Sequence, residues 1–543
     1  MQTTLNQKKA KKAQASQATA LAVFQPRPHQ AQSVKDHTAG LRKGYTLPSG
    51  RKVNARLDGS DMGTGKTYIA LFVARAMGLP VFVVCPQTSI AVWNKAIREV
   101  GVKAEIHVGN YETYIRSTTP YFKCVERIQA EREHADAVAI YEAKCLEAGD
   151  QAYQILRPKR RIVEDNSFEV HIPRNTLIII DESHRCKGLD SQTAELMLGI
   201  ARLNQKDPLA YPVLALSATA ATSPADMKAL GLLLGIHEGD DFESWARMNG
   251  CATSAWGKLE YLGGAEGLLG LHKKIFPKHG SRIRIQDLPK GMFPETIITS
   301  EAYDMGADSN KIQKVYDDME RELDNFMNGK STSKGMSPLT IILRARQKVE
   351  LLKVPAFVEM AKDANASGHR CLIFVNFKET LYALQDRLKT QCVFHGENRS
   401  TRNEWLKRFQ ANDPVCKNMI LNVAAGAESI SCQDLDGRYP RFSIISPNWS
   451  AFKMHQCFGR THRDGGESTS VQRLVYAART IEQRVSEKVK WKLNNLSALN
   501  DGDFMSDHMQ NFLQAGGKAK LKKEDLKAYT MMIDEVLGAN SEE

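Results

Sequence analysis

Short apolar runs alternate with longer amphipathic segments in two stretches of the chain. In the first stretch, from about residue 53 to 224, the runs are "VNARL", "VFVVCP", "TLIIID" and "PVLALSAT". Buried strands separated by helices are typical of a parallel sheet with crossover connections. The alternation returns later in "CLIFVN", "CVFH", "NMILNVA" and "FSIISP". The pattern therefore predicts an α/β fold with two lobes.

Departures from this alternation set the expected domain limits. A charged helical pattern ending near Gly149, followed by "RPKRR" and a predicted hairpin, interrupts the first lobe and indicates an insertion. The Gly-, Ser- and Lys-rich stretch "FMNGKSTSKGMSPL" is typical of a surface loop between the lobes. The predicted limits are 1–21 for a basic flexible arm, 22–300 for the first domain with its insertion at 116–172, 301–340 for a linker, 341–500 for the second domain and 501–543 for a charged helical tail.

The charge balance favours a polyanionic partner. The chain has 543 residues and a formal net charge of +12, and clustered Lys and Arg bind phosphates by releasing counterions. Its first 35 residues contain "KKAKK" and no Asp or Glu. Because this segment is rich in Gln, Ala and Lys rather than Arg and Ser, we interpret it as an arm that touches nucleic acid or nothing, and not as a transit peptide.

The cysteine pattern and the apolar runs bear on the compartment. Ten cysteines are scattered singly, without a C-x-x-C pair. We therefore expect reduced, mostly buried thiols. No apolar run approaches the roughly 20 residues that a membrane-spanning helix needs. These features predict a cytoplasmic protein, of a prokaryote or a virus-infected host, or a nuclear one, neither secreted nor embedded in a membrane.

The stretch "DGSDMGTGKTYIAL" carries the first candidate chemistry. The general phosphate-loop pattern G-x-x-x-x-G-K-[ST] requires a glycine where Ser60 stands, so the strict pattern is missed. The expected elements are nevertheless present: glycines for a tight loop, a Lys for the β and γ phosphates and a hydroxyl for Mg²⁺, between a strand and a helix. The candidate nucleotide-binding residues here are Gly63, Thr64, Gly65, Lys66 and Thr67.

A pair of carboxylates follows the apolar strand in "TLIIIDESHRCKG". Asp181 and Glu182 should lie at the carboxyl edge of the sheet, where ligands of open α/β folds bind. Asp181 would hold Mg²⁺ through water, and Glu182 would orient and deprotonate the attacking water. Together with Lys66, this pair predicts a site for Mg²⁺ and ATP.

These two motifs resemble motifs I and II of superfamily 2 helicases, whose first motif does not require the early glycine. Other first-lobe motifs follow in the family order: "FQPRPHQ" resembles the adenine motif, "VCPQTSIAVW" motif Ia, "VGNYE" the next strand-contact motif and "LSAT" motif III. The resemblance implies two tandem RecA-like domains. The resemblance assigns Arg27 and Gln30 to binding of the adenine base of ATP. It assigns Pro86, Thr88, Asn110 and Tyr111 to contact with nucleic acid. It assigns His184, Ser217 and Thr219 to coupling between the nucleotide site and the nucleic acid.

The second lobe completes the series. "CLIFVNF" resembles motif IV, "FHGENRSTRNEWLKRF" the following glycine-containing segment, "NVAAGAESIS" motif V and "HQCFGRTHR" motif VI. The resemblance assigns Asn376, Gly396, Ala425 and Gly426 to nucleic-acid contact. Motif VI places Gln456, Arg460 and Arg463 on one helical surface, because residues three or four apart share a face. Across a cleft these catalytic candidates would meet the γ-phosphate.

Within superfamily 2, "LTIILRARQKVELLK" and "QCFGRTHRDGGESTSVQRLVYAARTIEQRV" resemble Swi/Snf-type ATPases, particularly the distant group that includes annealing helicases. Those proteins track along duplex DNA without sustained unwinding. The chain departs from them at Ala427 and Ser429, where glycines are expected, and in "DESH". These departures suggest a divergent viral or mobile-element branch.

Three readings of the function stay open. The favoured one is an ATP-driven motor on duplex or branched DNA. A conventional strand-separating helicase is the second, with DNA favoured over RNA because the DEAD-type signature is missing. A nucleotide-gated scaffold on DNA is the third. Trp93 could pack in the core or stack on a base, His395 could simply end a strand, and Arg157–Arg161 could be a solvated loop or a DNA contact.

Overall fold

A computed structural model describes most of the chain. The described residues are 24–148, 156–159, 166–239, 241–253, 259–289, 291–303, 305–327, 338–398, 401–426, 430–448, 450–478, 482 and 499. The predicted basic arm and the predicted charged tail lie outside these residues, as do most of the interlobe loop, the end of "RPKRR", and Ala427 and Ser429 of motif V.

A six-stranded parallel sheet forms the centre of the first lobe, in the order β12-β3-β9-β8-β4-β5. Its middle strands are buried along their whole length, which explains their nearly continuous apolar runs. The strands of this lobe are β1 Tyr45–Thr46, β2 Lys52–Val53, β3 Ala55–Asp58, β4 Val81–Cys85, β5 Ile106–Asn110, β6 Phe122–Lys123, β7 Glu169–Val170, β8 Leu177–Asp181, β9 Val213–Leu216, β10 Cys251–Thr253, β11 Leu259–Tyr261 and β12 Gly280–Ser281.

Helices cover both faces of this sheet, and two large apolar clusters lie one on each face. Phe242 and Ala246 belong to a third, smaller cluster. They are α1 Pro28–Lys43, α2 Lys66–Met77, α3 Ile90–Val100, α4 Tyr111–Ile115, α5 Val125–Ala148, α6 Gln192–Lys206, α7 Lys228–Leu234, α8 Phe242–Met248 and α9 Ala265–Ile275. Short 3₁₀ turns occur at Gln87–Ser89, Ser183–Cys186, Pro224–Met227 and Ile285–Asp287.

A second six-stranded parallel sheet has the order β13-β18-β17-β14-β16-β15. Its strands are β13 Thr296–Tyr303, β14 Arg370–Val375, β15 Val393–Phe394, β16 Asn418–Asn422, β17 Arg441–Ile445 and β18 Ser470–Ala477. Its helices are α10 Ala307–Met327, α11 Pro338–Leu352, α12 Val354–Ala366, α13 Lys378–Leu388, α14 Arg402–Gln410, α15 Val423–Gly426 and α16 Ala451–Phe458. The predicted α/β fold with two RecA-like parallel sheets is confirmed. Strand β13 crosses the predicted domain limit at residue 300.

The insertion is anchored in the first lobe. Strand β7 pairs antiparallel with β6, and Phe122 and Phe168 belong to the main core cluster of this lobe. Arg127 joins the two ends, since its guanidinium donates to Asn166 Oδ1 at 2.8 Å. The charged helix predicted to end near Gly149 is α5, whereas residues 160–165 of the predicted hairpin lie outside the described part of the chain.

The expectation of ten reduced cysteines is wrong for one pair. Cys392 and Cys416 form a disulfide, with their Cα atoms 5.8 Å apart. They are 24 residues apart in sequence and become neighbours because β15 and β16 pair side by side. The other eight cysteines are free thiols, and all but Cys145 are buried. Among the described residues, no helix has both the length and the apolar character needed to cross a membrane.

Candidate active site

The phosphate-loop candidate connects the end of β3 to the start of α2. Gly63 and Gly65 both have φ near +86°, a left-handed conformation that a side chain disfavours. Lys66 begins α2, and its Nζ donates to the carbonyl oxygens of Ser60 and Asp61 at 2.8 and 3.2 Å. Thr67 is the next helical residue. The loop therefore has the strand, loop and helix context that the sequence predicts.

The base-motif candidates lie beside this loop. Gln30 is buried near the start of α1, and its Nε2 donates to Thr64 O at 2.9 Å. The fit is close, because a Cβ atom on Gly65 would lie 2.4 Å from Gln30 Nε2. Thr64 is held in turn by a hydrogen bond from its hydroxyl to Asp61 O. The structure thus brings the predicted base and phosphate residues together.

The acidic pair stands at the carboxyl end of β8, next to the loop. Asp181 is the last residue of this buried strand, and Glu182 follows with φ 52° and ψ 50°. One Asp181 oxygen accepts from Trp93 Nε1 at 2.9 Å, and the other accepts from the Glu182 backbone N–H at 3.0 Å. Trp93 is fully buried, so of the two alternatives expected from sequence, core packing and stacking on a base, the structure shows core packing.

Charges at this site are concentrated and partly buried. Burial lowers the pKa of Lys66, although the carboxylates around it, led by Glu182, oppose the shift. Burial and the neighbouring charge of Glu182 raise the pKa of Asp181. Burial alone would also raise the pKa of Glu182, but the hydrogen bond and charge of His184 outweigh it and lower that pKa. Glu182 therefore stays ionised and can accept a hydrogen bond from water.

His184 links the acidic pair to the third predicted motif. Its Nδ1 lies 3.2 Å from Glu182 Oε2 and 3.3 Å from Ser217 Oγ. The Ser217 hydroxyl oxygen also accepts the Thr219 backbone N–H at 3.3 Å. All three predicted coupling residues are buried in one connected network.

Residues of the predicted motif VI sit directly on the phosphate loop. The Arg460 guanidinium donates to Met62 Sδ at 3.5 Å, and a Cβ atom on Gly459 would lie 3.0 Å from Met62. A Cβ atom on Gly63 would lie 3.0 Å from Arg463 Cα. Burial, reinforced by the charge of Arg460, lowers the pKa of Arg463 to about 9. The two lobes therefore meet at the candidate phosphate site.

Hydrogen bonds also hold the motif VI arginines within their own lobe. Arg460 donates to Ile430 O at 3.0 Å and to Gln456 O at 2.8 Å, and Arg463 donates to Ser431 Oγ at 3.1 Å. Residues 430 and 431 end the predicted motif V. Gln456 is buried in α16, which ends at Phe458. Arg460 and Arg463 lie beyond the end of this helix, so the prediction that all three residues share one helical surface is wrong.

An ion pair closes the base side of the cleft. The Arg27 guanidinium donates to Asp464 Oδ1, joining the N-terminal end of α1 to the segment after motif VI. Arg27 is half exposed, whereas Asp464 is largely covered. The predicted base residue Arg27 is therefore also a contact between the lobes.

Arg282 belongs to the site, although no sequence motif identifies it. It donates to Asp61 Oδ1 at 2.9 Å and to Ala218 O at 3.2 Å, so it joins the phosphate loop to the third motif. The next residue, Ile283, donates its N–H to Ser60 Oγ at 3.1 Å. The serine at the generic glycine place thus has a structural use, because it anchors the chain that leaves β12.

The first-lobe residues predicted to contact nucleic acid lie at the carboxyl ends of β4 and β5. Thr88 falls in the 3₁₀ turn after Pro86, and Asn110 caps α4 by accepting the Thr113 N–H at 2.8 Å. The Tyr111 side chain is fully buried, and its hydroxyl donates to Asp181 O at 2.8 Å. If Tyr111 contacts nucleic acid, the contact must therefore be made by the Tyr111 backbone.

Hydrogen-bonded asparagines lie at or just beyond the ends of three neighbouring strands of the second sheet, β14, β16 and β17. Asn448 Nδ2 donates to Asn376 Oδ1 at 2.6 Å, and Asn422 Nδ2 donates to Asn376 O at 3.0 Å. Buried Glu350 accepts from Asn376 Nδ2 at 2.7 Å and from the Phe377 N–H at 3.0 Å. We call Glu350, Asn376, Asn422 and Asn448 the asparagine cluster. The side chain of Asn376 is therefore engaged inside the lobe.

The remaining second-lobe candidates are less constrained. Gly396 is exposed, and a Cβ atom there would meet nothing within 4 Å. Ala425 and Gly426 end α15, directly before residues outside the described part of the chain. Their predicted contact with nucleic acid stays a prediction.

Two parallel sheets that close on one phosphate loop, with an acidic pair on one side and arginines on the other, define a RecA-like nucleotide hydrolase. Comparison with known proteins agrees. Residues 23–221 match the family described as "Type III restriction enzyme, res subunit", and residues 352–465 match "Helicase conserved C-terminal domain". The chain is 30% identical over 460 residues to "Putative ATP-dependent RNA helicase L364" of Acanthamoeba polyphaga mimivirus, an alignment that covers 82% of this chain and 80% of the relative.

Two other relatives match shorter regions. "Helicase swr-1" of Neurospora crassa is 25% identical over 201 residues, which cover 35% of this chain and 11% of that protein. "CHD3-type chromatin-remodeling factor CHR7" of Arabidopsis thaliana is 25% identical over 197 residues, which cover 34% of this chain and 15% of that protein.

Solved structures give a weaker likeness. A structure of "S. cerevisiae Dbp5 bound to RNA and ADP BeF3" has a TM-score of 0.42 at 12% identity and covers 96% of this chain and 95% of its own. The "Sulfolobus solfataricus SWI2/SNF2 ATPase core in complex with dsDNA" has a TM-score of 0.29 at 15% identity and covers 92% and 98%. Neither likeness supports an argument about function.

The chain belongs to the superfamily 2 helicases. It is an ATP-hydrolysing enzyme of the helicase type that acts on nucleic acid.

Proposed function

We propose that the chain is a DNA translocase of the Swi/Snf-type branch, which uses ATP to move along duplex or branched DNA. The second-lobe motifs and the excess of 12 positive charges support this assignment. Two relatives over about 200 residues, a swr-1 helicase and a CHD3-type chromatin-remodeling factor, favour the same branch. The domain limits predicted above and a cytoplasmic or nuclear location are part of the proposal.

The observation that carries the catalytic proposal is the contact of motif VI with the phosphate loop. Gly459 and Arg463 lie against Met62 and Gly63, so the arginines of one lobe face the residues that would hold ATP on the other. Lys66 neutralises charge on the β and γ phosphates. Arg460 and Arg463, aided by Gln456, stabilise the transferring phosphoryl group.

Glu182 orients the attacking water and takes its proton. Its lowered pKa keeps the carboxylate ionised, and His184 fixes one of its oxygens. The link from His184 to Ser217 then connects this carboxylate to the third motif, so that a change at the phosphate site reaches the nucleic-acid surface.

The donor set suits a hard divalent cation. Asp181 uses each carboxylate oxygen for one hydrogen bond, which leaves lone pairs for a metal or its water, and the Thr67 hydroxyl adds a second oxygen ligand. When bound, Mg²⁺ would neutralise charge on the β and γ phosphates of ATP. Asp181 and Thr67 are the residues that would hold it.

Contacts with DNA should be mostly to phosphate and sugar, which position the strand without reading its sequence. Those we propose come from Pro86, Thr88 and Asn110 in the first lobe and from Gly396, Ala425 and Gly426 in the second. They all lie at or beyond carboxyl ends of strands. Closure of the lobes on ATP and opening after hydrolysis would move this surface along the track.

A strand-separating RNA helicase is the second candidate function. The mimivirus relative, 30% identical over most of both chains, is named as an ATP-dependent RNA helicase. This candidate uses the same ATP chemistry and differs in the nucleic acid and in the need to split base pairs.

The deciding experiment measures ATPase rate against blunt duplex, forked, four-way and single-stranded DNA and RNA, with Glu182→Gln as the blank. The translocase proposal expects blunt or branched DNA to stimulate at least as well as single strands, a triplex strand to be displaced and a tailed duplex to be separated poorly. Stimulation by RNA alone, with unwinding of a tailed RNA duplex, would establish the second candidate. Stimulation without triplex displacement or unwinding would indicate an ATP-gated scaffold.

A further inference from the structure

Two buried aromatic side chains converge on Asp181 from the segments that follow β4 and β5. Trp93 belongs to α3 and donates its indole N–H to Asp181 Oδ2 at 2.9 Å. Tyr111 begins α4 and donates its hydroxyl to Asp181 O at 2.8 Å. Both side chains are completely buried. One donor therefore fixes the carboxylate and the other fixes the backbone of the same residue.

These contacts do more than fill the core. An indole N–H can only donate, and a phenylalanine would pack in its place without that donor. Two groups donate to the Asp181 carboxylate, the Trp93 indole and the Glu182 N–H, and the Tyr111 hydroxyl holds the backbone carbonyl of the same residue. Such fixed orientation is what a metal-binding carboxylate needs from its surroundings.

Trp93 and Tyr111 also connect Asp181 to the two motifs that are predicted to contact a nucleic-acid strand. Trp93 is in the helix that follows Thr88, and Tyr111 follows Asn110, whose side chain donates to Gln87 Oε1. A displacement of either segment therefore changes the position of a donor to Asp181.

We propose that Trp93 and Tyr111 are positioning residues that hold Asp181 in the orientation required for Mg²⁺ and make that orientation depend on the two strand-contact segments. This rests on the proposed function, in which Asp181 holds the metal. Removing either donor should weaken Mg²⁺-dependent nucleotide binding and leave metal-free binding unchanged.

The test uses conservative variants of the full chain. Trp93→Phe and Tyr111→Phe each remove one donor and keep an aromatic ring. Tyr114→Phe is the matched control, because Tyr114 lies on the same helix and its buried hydroxyl has no hydrogen-bond partner among the described residues. Trp405→Phe, in the second lobe, controls for loss of an indole. Binding of a fluorescent ADP analogue is titrated in EDTA and at increasing Mg²⁺, and melting is followed without ligand.

The expected result separates the two kinds of variant. Loss of a hydrogen-bond donor to a metal ligand typically costs about 10–100-fold in metal affinity. Trp93→Phe should therefore raise the half-saturating Mg²⁺ concentration by about that factor. Tyr111→Phe should raise it by a smaller factor, since it acts through the backbone. The controls should match the parent, and binding in EDTA should be the same for every variant.

Asp181→Asn distinguishes failure of this proposal from failure of the proposed function. If Asp181→Asn raises the Mg²⁺ requirement and the two aromatic variants leave it unchanged, the positioning proposal is overturned alone. If Asp181→Asn has no effect either, the metal assignment fails and takes the positioning role with it. Should Trp93→Phe not fold, the comparison of Tyr111→Phe with Tyr114→Phe decides. A shift caused equally by Tyr114→Phe would also overturn the proposal.

Discussion

Gly63 and Arg463 are in contact across the cleft between the lobes. A Cβ atom on Gly63 would lie 3.0 Å from the Arg463 Cα atom, and the backbone of Gly63 has φ +86°. A side chain at residue 63 is therefore opposed both by its own backbone and by the other lobe. A backbone atom cannot turn aside as the end of a flexible side chain can.

Gly63→Ala should consequently prevent close approach of motif VI. We expect nucleic-acid-stimulated ATPase to fall by at least about tenfold, equivalent to about 1.4 kcal/mol of barrier. Gly50→Ala is the matched control, because Gly50 has the same φ and a Cβ atom there meets nothing within 4 Å. Both variants should lose about 1–2 kcal/mol of stability from the left-handed backbone. Equal ATPase rates in the two variants would contradict the closure argument.

Lys66→Ala should abolish ATP hydrolysis, because the point charge facing the β and γ phosphates is lost. Glu182→Gln should keep ATP binding and accumulate the closed state, since the amide cannot take the proton. ATPase rate and binding of fluorescent ATP are the two measurements. Lys95→Ala, on the exposed face of α3, should behave as the parent. Hydrolysis by Glu182→Gln at the parental rate would show that its catalytic assignment is wrong.

Arg460→Ala and Arg463→Ala should each reduce stimulated turnover. Arginines that stabilise the transferring phosphoryl group contribute about 10³–10⁵ in rate, so losses toward this range are expected. ATP binding should persist, because the phosphate loop belongs to the other lobe. Arg438→Ala removes an exposed arginine paired with Asp436 in the same lobe and is the control. Unchanged turnover in both motif VI variants would exclude the role.

Arg282→Met should destabilise the first lobe and uncouple the phosphate loop from the third motif. The Arg282–Asp61 pair is 2.9 Å long and its arginine is nearly buried, and removing one partner of a buried pair costs about 3–5 kcal/mol. Arg284, two residues after Arg282, forms a more exposed pair with Asp287. Arg284→Met should lower the free energy of unfolding by only about 0–1 kcal/mol. Urea denaturation measures both. The Arg282→Met, Asp61→Asn double variant should lose less than the sum of the single changes.

Shortening the insertion should weaken nucleic-acid binding without abolishing ATP hydrolysis. Removing residues 131–165 keeps Phe122 and Phe168 in the core and keeps Arg127 bound to Asn166. The slope of log affinity against log salt should fall by about 0.9 for each phosphate of duplex DNA that the shortened protein no longer neutralises, while basal ATPase survives. An unchanged slope would show that the "RPKRR" region binds no phosphate.

The fold and most of the site residues were accessible from sequence because their signals are local. Apolar runs mark β8 and β14, and the glycines, Lys66 and the acidic pair are defined by short spacings beside those runs. Motif VI is also a short local spacing, but its arginines lie beyond the end of α16 and not on the predicted helical surface. In each case a few neighbouring residues determine both the local structure and the chemistry.

The contacts that sequence could not predict join distant segments. Arg282 meets Asp61, 221 residues away, only because β12 pairs with β3 at the edge of the first sheet. The sequence is compatible with Trp93 as a packing or a stacking residue, and its bond to Asp181 depends on β4 lying beside β8. The Cys392–Cys416 disulfide likewise follows from the pairing of β15 and β16. Strand order decides such pairs, and no local pattern encodes it.

The asparagine cluster has a mechanical consequence for the second lobe. Asn422 is the last residue of β16, Asn376 directly follows β14, and Asn448 lies three residues after β17. The hydrogen bonds of Asn376 to the other two asparagines join these strand ends at one rim. Because these hydrogen bonds connect neighbouring strands, we expect the strand ends to move together, and not to slide past one another, when motif VI changes position. We therefore expect a movement of the second lobe at the nucleotide cleft to displace these three strand ends by the same amount.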